Sequence, residues 1–439
     1  MPTCGFLFTV VRRRYRLSFH RITHREALGA SRERVGMKGT LQRFKVIVPY
    51  LPEGAASYMV RYVVISCILT LLDVAALMLL AVSLSSMLSG DDVTIPVVGW
   101  TVRSEHYVWL LLVVSALILL KSSLSLLQQW FATRRFTEFE LILGMRLFDA
   151  YIGAPWVDRL ARTSSTLVRM ADVGVAALVG GLIMPLISLP AMFVSTFVIM
   201  VTLFIVQPLT AIISVVYLGG IALLIAVVLS KRTLEAGRVN QRYSYKVASL
   251  MTDMVGALKE ITLRNKFDEV AEEVRRNRQH AARARANIQF LGAVPKFVMD
   301  GALIGGFLIV GGISFLVDHS LEDAIGAVVM FAVTSMRLIP TLIGYQATMN
   351  TLNSNTAQVQ AIIRDLVTSD RYRAETEHLG KELLSDDPKE LVLENVTFTY
   401  PNRNEPAVSN VSMTVKAGTR IGIVGESGSG KSTLVDIVL

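Results

Sequence analysis

Long apolar runs, separated by charged or short polar stretches, fill most of the chain between residues 59 and 345. Each run is long enough to cross about 30 Å of hydrocarbon as a helix that rises about 1.5 Å per residue. The six predicted membrane spans are 59–88, 107–132, 173–205, 209–229, 290–317 and 321–345. Only Gln207-Pro208 separates the third run from the fourth, and only residues 318–320 separate the fifth from the sixth. Both pairs are therefore predicted to be tight helical hairpins.

The pattern changes after the sixth run. Residues from Gln346 onward are polar and charged, which is typical of a linker. Leu391–Tyr400 and Ala407–Val415 then alternate between apolar and polar residues, as strands do, and Thr419–Val424 is predicted to be a third, buried strand. The predicted domains are a basic segment with an elbow helix (1–58), a membrane domain (59–345), a linker (346–390) and the start of an α/β domain (391–439).

Composition supports a membrane protein. The chain has 439 residues, of which 52% are hydrophobic and 18% are charged. Such a balance is too apolar for a soluble protein of this length. Its two cysteines, Cys4 and Cys67, cannot build a disulfide framework or a metal cluster.

The distribution of basic residues predicts the orientation in the membrane. The connection 133–172 carries six Lys/Arg and the connection 230–289 carries thirteen, whereas the alternate connections carry only Arg103. Basic connections face the cytoplasm, so both termini are predicted to be cytoplasmic. This topology accounts for the net charge of +9, and nucleic-acid binding is not expected.

The two long basic connections are predicted to be helical extensions of the spans. Arg238–Gln289 is charged, rich in alanine and poor in Gly and Pro. Short elbow segments near Pro155–Arg162 and Thr252–Leu263 would reach a cytoplasmic partner domain. The alternative is a solvated helical hairpin without a partner.

A phosphate-binding motif follows the predicted third strand. The stretch GESGSGKS fits the pattern G-x-x-x-x-G-K-[ST] and leads into a predicted helix, Lys431–Leu439. Small residues let consecutive backbone N–H groups surround phosphate oxygens, and the helix N-terminus favours negative charge. The predicted nucleotide-binding residues are Tyr400, Gly425, Glu426, Ser427, Gly428, Ser429, Gly430, Lys431, Ser432 and Thr433. An aromatic ring at Tyr400 would stack on the base, unless it is simply the last residue of the strand.

Six spans, two long basic connections, Tyr400 and the GESGSGKST stretch together resemble an exporter-type ATP-binding-cassette (ABC) transporter half, over about residues 40–439. The resemblance implies an α-helical polytopic membrane protein followed by the truncated start of an α/β P-loop nucleotide-binding domain. It implies ATP and Mg²⁺ as cofactors, with Lys431 on the β- and γ-phosphates, Ser432 as the Mg²⁺ ligand and Thr433 near the α-phosphate. It also implies a second ABC half-transporter as partner, in a homodimer or a heterodimer that alternates access.

The other conserved parts of that family would all lie beyond Leu439. These are the glutamine loop, the LSGGQ-type signature, the Asp-Glu pair and the switch histidine. No catalytic residue is therefore assigned, and the 439 residues alone are expected not to hydrolyse ATP.

Three charged residues fall inside predicted spans, where charge is costly and usually faces a cavity or a partner. They are Asp73, Lys121 and Arg337. Counting from the span ends places Lys121 and Arg337 in the inner half of the bilayer and Asp73 nearer the outer half. Lys121 either faces a substrate cavity or reaches the cytoplasmic interface, and Arg337 either faces the cavity or forms a structural ion pair. Two cations in the inner half would suit an anionic head group, such as that of a lipid-linked glycan.

Several transport functions remain open. Ala257–Leu263 and Met336–Pro340 resemble the branch that flips lipid-linked oligosaccharides. Peptide, protein or drug export is the alternative, although the segment before the first span is too short for a cysteine peptidase built on Cys4. A non-catalytic subunit that pairs with a complete one is a further alternative.

The first 57 residues contain eleven Lys/Arg and three acidic residues. They are interpreted as a mitochondrial-type presequence, as an anchor on acidic lipids, or as untranslated sequence before a start at Met37. The location predicted from these features is the bacterial inner membrane, crossed several times, with membrane lipids as neighbours.

Overall fold

A computed structural model describes most of the chain. The described residues are 37–89, 93–95, 100–102, 107–154, 173–206, 208–318, 321–377, 389–400 and 403–438. They form two compact units, the first ending at Asp370 and the second containing Arg371–Leu439.

Helices make up nearly all of the first unit. In chain order they are α1 (Met37–Ile47), α2 (Ala55–Ser89), α3 (Tyr107–Ile152), α4 (Val175–Leu178), α5 (Met184–Val206), α6 (Pro208–Gly256), α7 (Leu258–Leu263), α8 (Phe267–Asp318) and α9 (Leu321–Glu377). A 3₁₀ turn, Val48–Tyr50, follows α1, and a π-helical turn, Val179–Ile183, joins α4 to α5. Two short strands, β1 (Val93–Ile95) and β2 (Trp100–Val102), pair antiparallel between α2 and α3.

Five helical segments are long and apolar enough to cross a membrane: Ala55–Asp73, Leu112–Ile152, Val175–Val201, Ala211–Gly256 and Phe267–Leu316. Each overlaps one of the first five predicted spans. The sixth predicted span lies in α9. Within the residues that the structure describes, α9 is not among the five membrane-spanning candidates.

The predicted hairpins and one predicted elbow are present. Helix α5 ends at Val206 and α6 begins at Pro208, while α8 ends at Asp318 and α9 begins at Leu321. The helical path of the second basic connection breaks at Ala257 and continues as the short helix α7, within the predicted elbow. The other predicted elbow, Pro155–Arg162, lies outside the described residues.

The polar run that suggested a linker from Gln346 is helical as far as Glu377. Its apolar residues recur at helical spacing and are buried, among them Leu352, Val359, Ile362 and Leu366. They belong to the same core cluster as Phe136 and Phe139 of α3. This apolar face explains why α9 continues well beyond the last predicted span.

Aromatic side chains hold α2 against α3. Phe136 and Phe139 are fully buried and meet edge to face, with ring centroids 5.5 Å apart. Tyr58 of α2 meets the same two rings at 6.0 and 6.3 Å. Such edge-to-face pairs add about 0.5–1.5 kcal/mol each to the effect of burial. The cluster fixes the start of the first membrane helix.

The elbow before α2 is tied to α3 and α9 through Tyr50. The Arg146 guanidinium lies 4.9 Å from the centre of the Tyr50 ring and donates to Asp370 at 3.1 Å. Burial raises the pKa of Tyr50, and its hydrogen bond to Asp370 adds to that increase. The phenol therefore remains protonated and keeps its bond to the carboxylate.

Close backbone approach joins α6 to α9. A Cβ at Gly237 would overlap the Ser354 carbonyl oxygen and lie 2.9 Å from the carbonyl carbon. One turn away, the Thr233 hydroxyl donates to Asn350 Oδ1 at 2.8 Å. Only glycine leaves room for this helix contact.

We expect Gly237→Ala to lower the free energy of unfolding by about 1–3 kcal/mol, because the new methyl group must push α6 away from α9. The matched control is Gly220→Ala in the same helix, where a Cβ would meet no atom within 4 Å. Thermal unfolding of the purified protein in detergent measures the difference. Equal midpoints for the two variants would contradict the close contact.

The second unit contains an antiparallel pair, β3 (Glu390–Phe398) and β4 (Val408–Lys416), in which Glu390 lies opposite Lys416. The register shifts on either side of Val396. Asn395 and Asn410 have φ of 50°. Their backbone N–H groups donate to the hydroxyls of Ser412 and Thr397, each at 2.9 Å. The backbone N–H groups at these two irregular positions, which are β-bulges, therefore have hydrogen-bond partners.

The predicted third strand, Thr419–Val424, is wrong for this structure. Those residues have no strand conformation, and Ile421, Ile423 and Val424 are exposed, Val424 to 95%. A buried strand needs a hydrogen-bonded neighbour and covered faces. In the described part of the second unit, β3 and β4 pair with each other, and no strand lies alongside 419–424.

Candidate nucleotide site and membrane cavity

The glycine loop, residues 425–430, lies directly before a helix, α10 (Lys431–Val438). Gly428 and Gly430 have φ of 87° and 89°, which other residues rarely adopt. A Cβ at Gly430 would overlap the Ala407 carbonyl oxygen, and one at Gly425 would lie 2.7 Å from Ser429 Oγ. Gly430 is therefore required for the loop to close tightly, because its neighbour is a backbone atom, whereas the Ser429 side chain could move away from a Cβ at Gly425.

Lys431 reaches back across this loop from the first turn of α10. Its ammonium donates to the carbonyl oxygens of Gly425 at 2.9 Å and Glu426 at 2.6 Å. The loop closes on itself where the Ser429 N–H donates to Glu426 O at 3.2 Å. A positive charge, the N-terminus of an eight-residue helix and a glycine cradle are thus brought together. This is the donor set that binds phosphate.

Tyr400 and Thr433, which are both predicted to bind the nucleotide, lie next to each other. Their hydroxyl oxygens are 3.2 Å apart and share a hydrogen bond. The Tyr400 ring packs edge to face on Phe398, with centroids 5.1 Å apart. Thr433 is 8% exposed, so the bond positions the aromatic ring at the end of β3 beside α10.

Ser432 is exposed at the start of α10, next to Lys431. The described residues contain no group of three or more His, Cys, Asp or Glu that could hold a metal ion. A magnesium ion bound with ATP does not need one, because it takes one or two protein oxygens, phosphate oxygens and water. The Ser432 hydroxyl fits that single-ligand role. Glu426, Ser427 and Ser429 complete the loop and are exposed.

Two of the charged residues of the spans form an ion pair. Lys121 Nζ lies 3.0 Å from Asp73 Oδ1, and their side chains are 22% and 15% exposed. This ion pair joins α2 to α3 and gives the Lys121 charge a partner within the membrane unit. The Arg337 side chain lies outside the described residues, although its backbone is in α9.

A cavity of about 450 Å³ lies between α2, α5 and α9. Asp73 lines it, together with six hydroxyl-bearing residues: Tyr62, Ser66, Thr70, Ser188, Ser195 and Thr341. These hydroxyl-bearing residues were not among the predicted cavity residues, which were all charged. The available signal was their spacing, since Tyr62, Ser66, Thr70 and Asp73 recur every three or four residues on one face of an apolar helix.

Comparison with known proteins supports the prediction of a nucleotide-binding domain at the C-terminal end of the sequence. Residues 408–439 match the model of the ABC transporter family. The chain is 42% identical over 59 residues to the ATP-dependent lipid A-core flippase of Salmonella typhimurium, covering 13% of this chain and 10% of the relative. It is 52% identical over 46 residues to the flippase of the same name from Pseudoalteromonas translucida, covering 10% and 8%. The matches thus span about a tenth of the length of these relatives.

The fold comparison extends over far more of the chain. A bacterial Atm1-family ABC exporter, solved with ATP bound, aligns with a TM-score of 0.63 and 14% sequence identity. The alignment covers 87% of this chain and 65% of the exporter chain. At that identity the likeness is one of fold, and it includes the long membrane helices.

Proposed function

We propose that this chain, which has the fold of an exporter-type ABC transporter half, is the ATP-driven subunit of a membrane exporter. The observation that carries the proposal is the geometry of the glycine loop. Two glycines with positive φ and the Lys431 ammonium form a phosphate cradle in a chain that also has five membrane-spanning candidates. In an ordinary surface turn, Gly430 would have no reason to pack against a backbone carbonyl, as it does here against that of Ala407.

The nucleotide would be ATP with Mg²⁺. Lys431 would neutralise the terminal phosphates, the loop N–H groups would hold their oxygens, and Ser432 would ligate the metal. The Tyr400 ring, positioned by Thr433, would stack on the base. The bound nucleotide supplies the energy of transport, and these residues bind and orient it.

The substrate would be a lipid-linked or amphipathic molecule, with a lipid-linked glycan as the leading candidate. The flippases of Salmonella and Pseudoalteromonas that match part of this chain are named for lipid A-core. A polar cavity among apolar helices also suits a molecule with a polar head and an apolar tail.

The transporter would lie in the bacterial inner membrane with a second ABC half as its partner. The concentration of basic residues in the connections 133–172 and 230–289 favours a cytoplasmic location for both, and for the glycine loop. The loop would then face the compartment that contains ATP.

A transport assay tests this proposal. Inside-out vesicles carrying the intact transporter should move a fluorescent glycolipid between leaflets when ATP and Mg²⁺ are added, and Lys431→Ala should not. ATP-dependent movement of peptides or drugs without movement of the glycolipid would reject the lipid substrate. If neither the glycolipid nor the peptides nor the drugs move when ATP is added, the transport role would be rejected.

A further inference from the structure

The cavity between α2, α5 and α9 has the size of a small-molecule site. Its volume of about 450 Å³ falls in the range of about 300–1,000 Å³ typical of ligand pockets. Its described lining combines hydroxyl groups with apolar surface from Met192, Met336 and Pro340. No Lys, Arg or His is among the described lining residues.

Two of the hydroxyl groups that line the cavity can only accept hydrogen bonds from a ligand. Thr70 Oγ1 donates its proton to the Ser66 carbonyl at 2.7 Å, and Ser188 Oγ donates to the Pro185 carbonyl at 2.8 Å. Each of these hydroxyls donates its single proton to a carbonyl of its own helix, so only its oxygen lone pairs remain for a ligand. A ligand that bonds to them must therefore supply the hydrogen.

Asp73 adds acceptor oxygens without adding net charge. Its carboxylate is neutralised by Lys121 of α3 at 3.0 Å, and Lys121 is not among the residues that line the cavity. A phosphate here would meet lone pairs and a carboxylate, with no cation among the described lining residues to attract it. A simple ammonium ion would find a carboxylate that already has a cationic partner.

Gln128 of α3 fixes the polar wall that Tyr62, Ser66, Thr70 and Asp73 of α2 form in the cavity. Its Nε2 donates to Ser66 Oγ at 2.6 Å and to the Tyr62 carbonyl at 3.0 Å. The amide therefore holds Ser66 in position from behind. The wall is pre-organised by bonds between α2 and α3, which reduces the cost of ordering it around a ligand.

We propose that this cavity binds the uncharged, hydroxyl-rich head group of the substrate, that is, a sugar rather than a phosphate. Sugar hydroxyls both donate and accept, so they can donate to Thr70 and Ser188 and accept from Ser66. The C–H face of the ring can pack on Met192 and Pro340. This inference rests on the proposed function, because it names the part of the transported molecule that the membrane unit recognises.

The test is equilibrium binding of three probes with the same chain and different heads: octyl glucoside, octyl phosphate and octyltrimethylammonium. Each is used below its micelle concentration, with the chain in phosphatidylcholine nanodiscs and no nucleotide. We expect saturable binding of the glucoside only. Equal or tighter binding of the phosphate or the ammonium probe would overturn the proposal.

The variants Thr70→Val and Ser188→Ala each remove one acceptor and should each weaken glucoside binding by about threefold to tenfold, the range for a single hydrogen bond. Ser123→Ala is the matched control. Ser123 also donates to its own helix, to the Leu119 carbonyl at 2.9 Å, but it is exposed and does not line the cavity. Glucoside binding unchanged by both cavity variants, or weakened as much by Ser123→Ala, would reject the site.

Lys431→Ala separates this inference from the proposed function. That variant should bind glucoside like the parent chain while losing ATP binding. If the parent chain binds ATP but no glucoside, the cavity assignment fails and the nucleotide site stands. If the parent chain binds glucoside but no ATP, the nucleotide site fails and the cavity assignment stands.

Discussion

Gly430→Ala is expected to abolish detectable ATP binding while leaving the membrane unit folded. The backbone at Gly430 has φ of 89°, and an added Cβ would overlap the Ala407 carbonyl oxygen. Neither atom can move without distorting the loop or the residue before β4, since the Cβ is held rigidly by the main chain of Gly430 and the carbonyl oxygen belongs to the main chain of Ala407. Strain of this kind costs about 1–3 kcal/mol before any phosphate contact is lost.

The measurement is titration of the purified chain with a fluorescent ATP analogue, with thermal unfolding recorded on the same samples. Gly422→Ala is the matched control, because a Cβ there would meet no atom within 4 Å and its φ is not in the left-handed region. We expect normal affinity for Gly422→Ala and no detectable binding for Gly430→Ala. Equal affinities would show that the close packing of the loop is not needed for binding.

Lys431→Ala is expected to weaken ATP binding by about a hundredfold. The Lys431 ammonium donates two hydrogen bonds to loop carbonyls and is the only cation in the loop itself, residues 425–432, all of which are described. Bonds from a charged donor are worth about 1.5–3 kcal/mol, and about 2.7 kcal/mol corresponds to a hundredfold change in affinity.

Lys416→Ala is the control for this prediction. Lys416 is an exposed lysine at the end of β4, in the same unit and outside the loop. Its removal changes the net charge equally and should leave the affinity unchanged. A comparable loss of affinity in both variants would indicate a general charge effect instead of a phosphate site.

Features encoded by adjacent residues were predictable from the sequence. The glycine loop, the helix that begins at Lys431 and the two hairpin turns follow from short local patterns, and the structure shows them where expected. The first five spans were predictable for the same reason. A continuous apolar run indicates a membrane helix by itself, whichever helices pack against it in the fold.

Features that depend on contacts between distant residues were not predictable. The pairing of Asp73 with Lys121 requires the relative positions of α2 and α3, which extend beyond the apolar runs used for counting. The helical continuation of α9 depends on burial of residues such as Val359 and Ile362 against other helices. The strand predicted at 419–424 failed because strand formation needs a neighbouring strand as well as an apolar pattern.

We propose that the glycine loop binds ATP on the cytoplasmic side of the membrane. The decisive experiment is photolabelling with an azido-ATP analogue in sealed vesicles of known orientation, followed by peptide mapping. We expect Mg²⁺-dependent labelling near Tyr400 or the loop in inside-out vesicles, with none in Gly430→Ala. Labelling from the external face, or no Mg²⁺-dependent labelling of this segment, would contradict it.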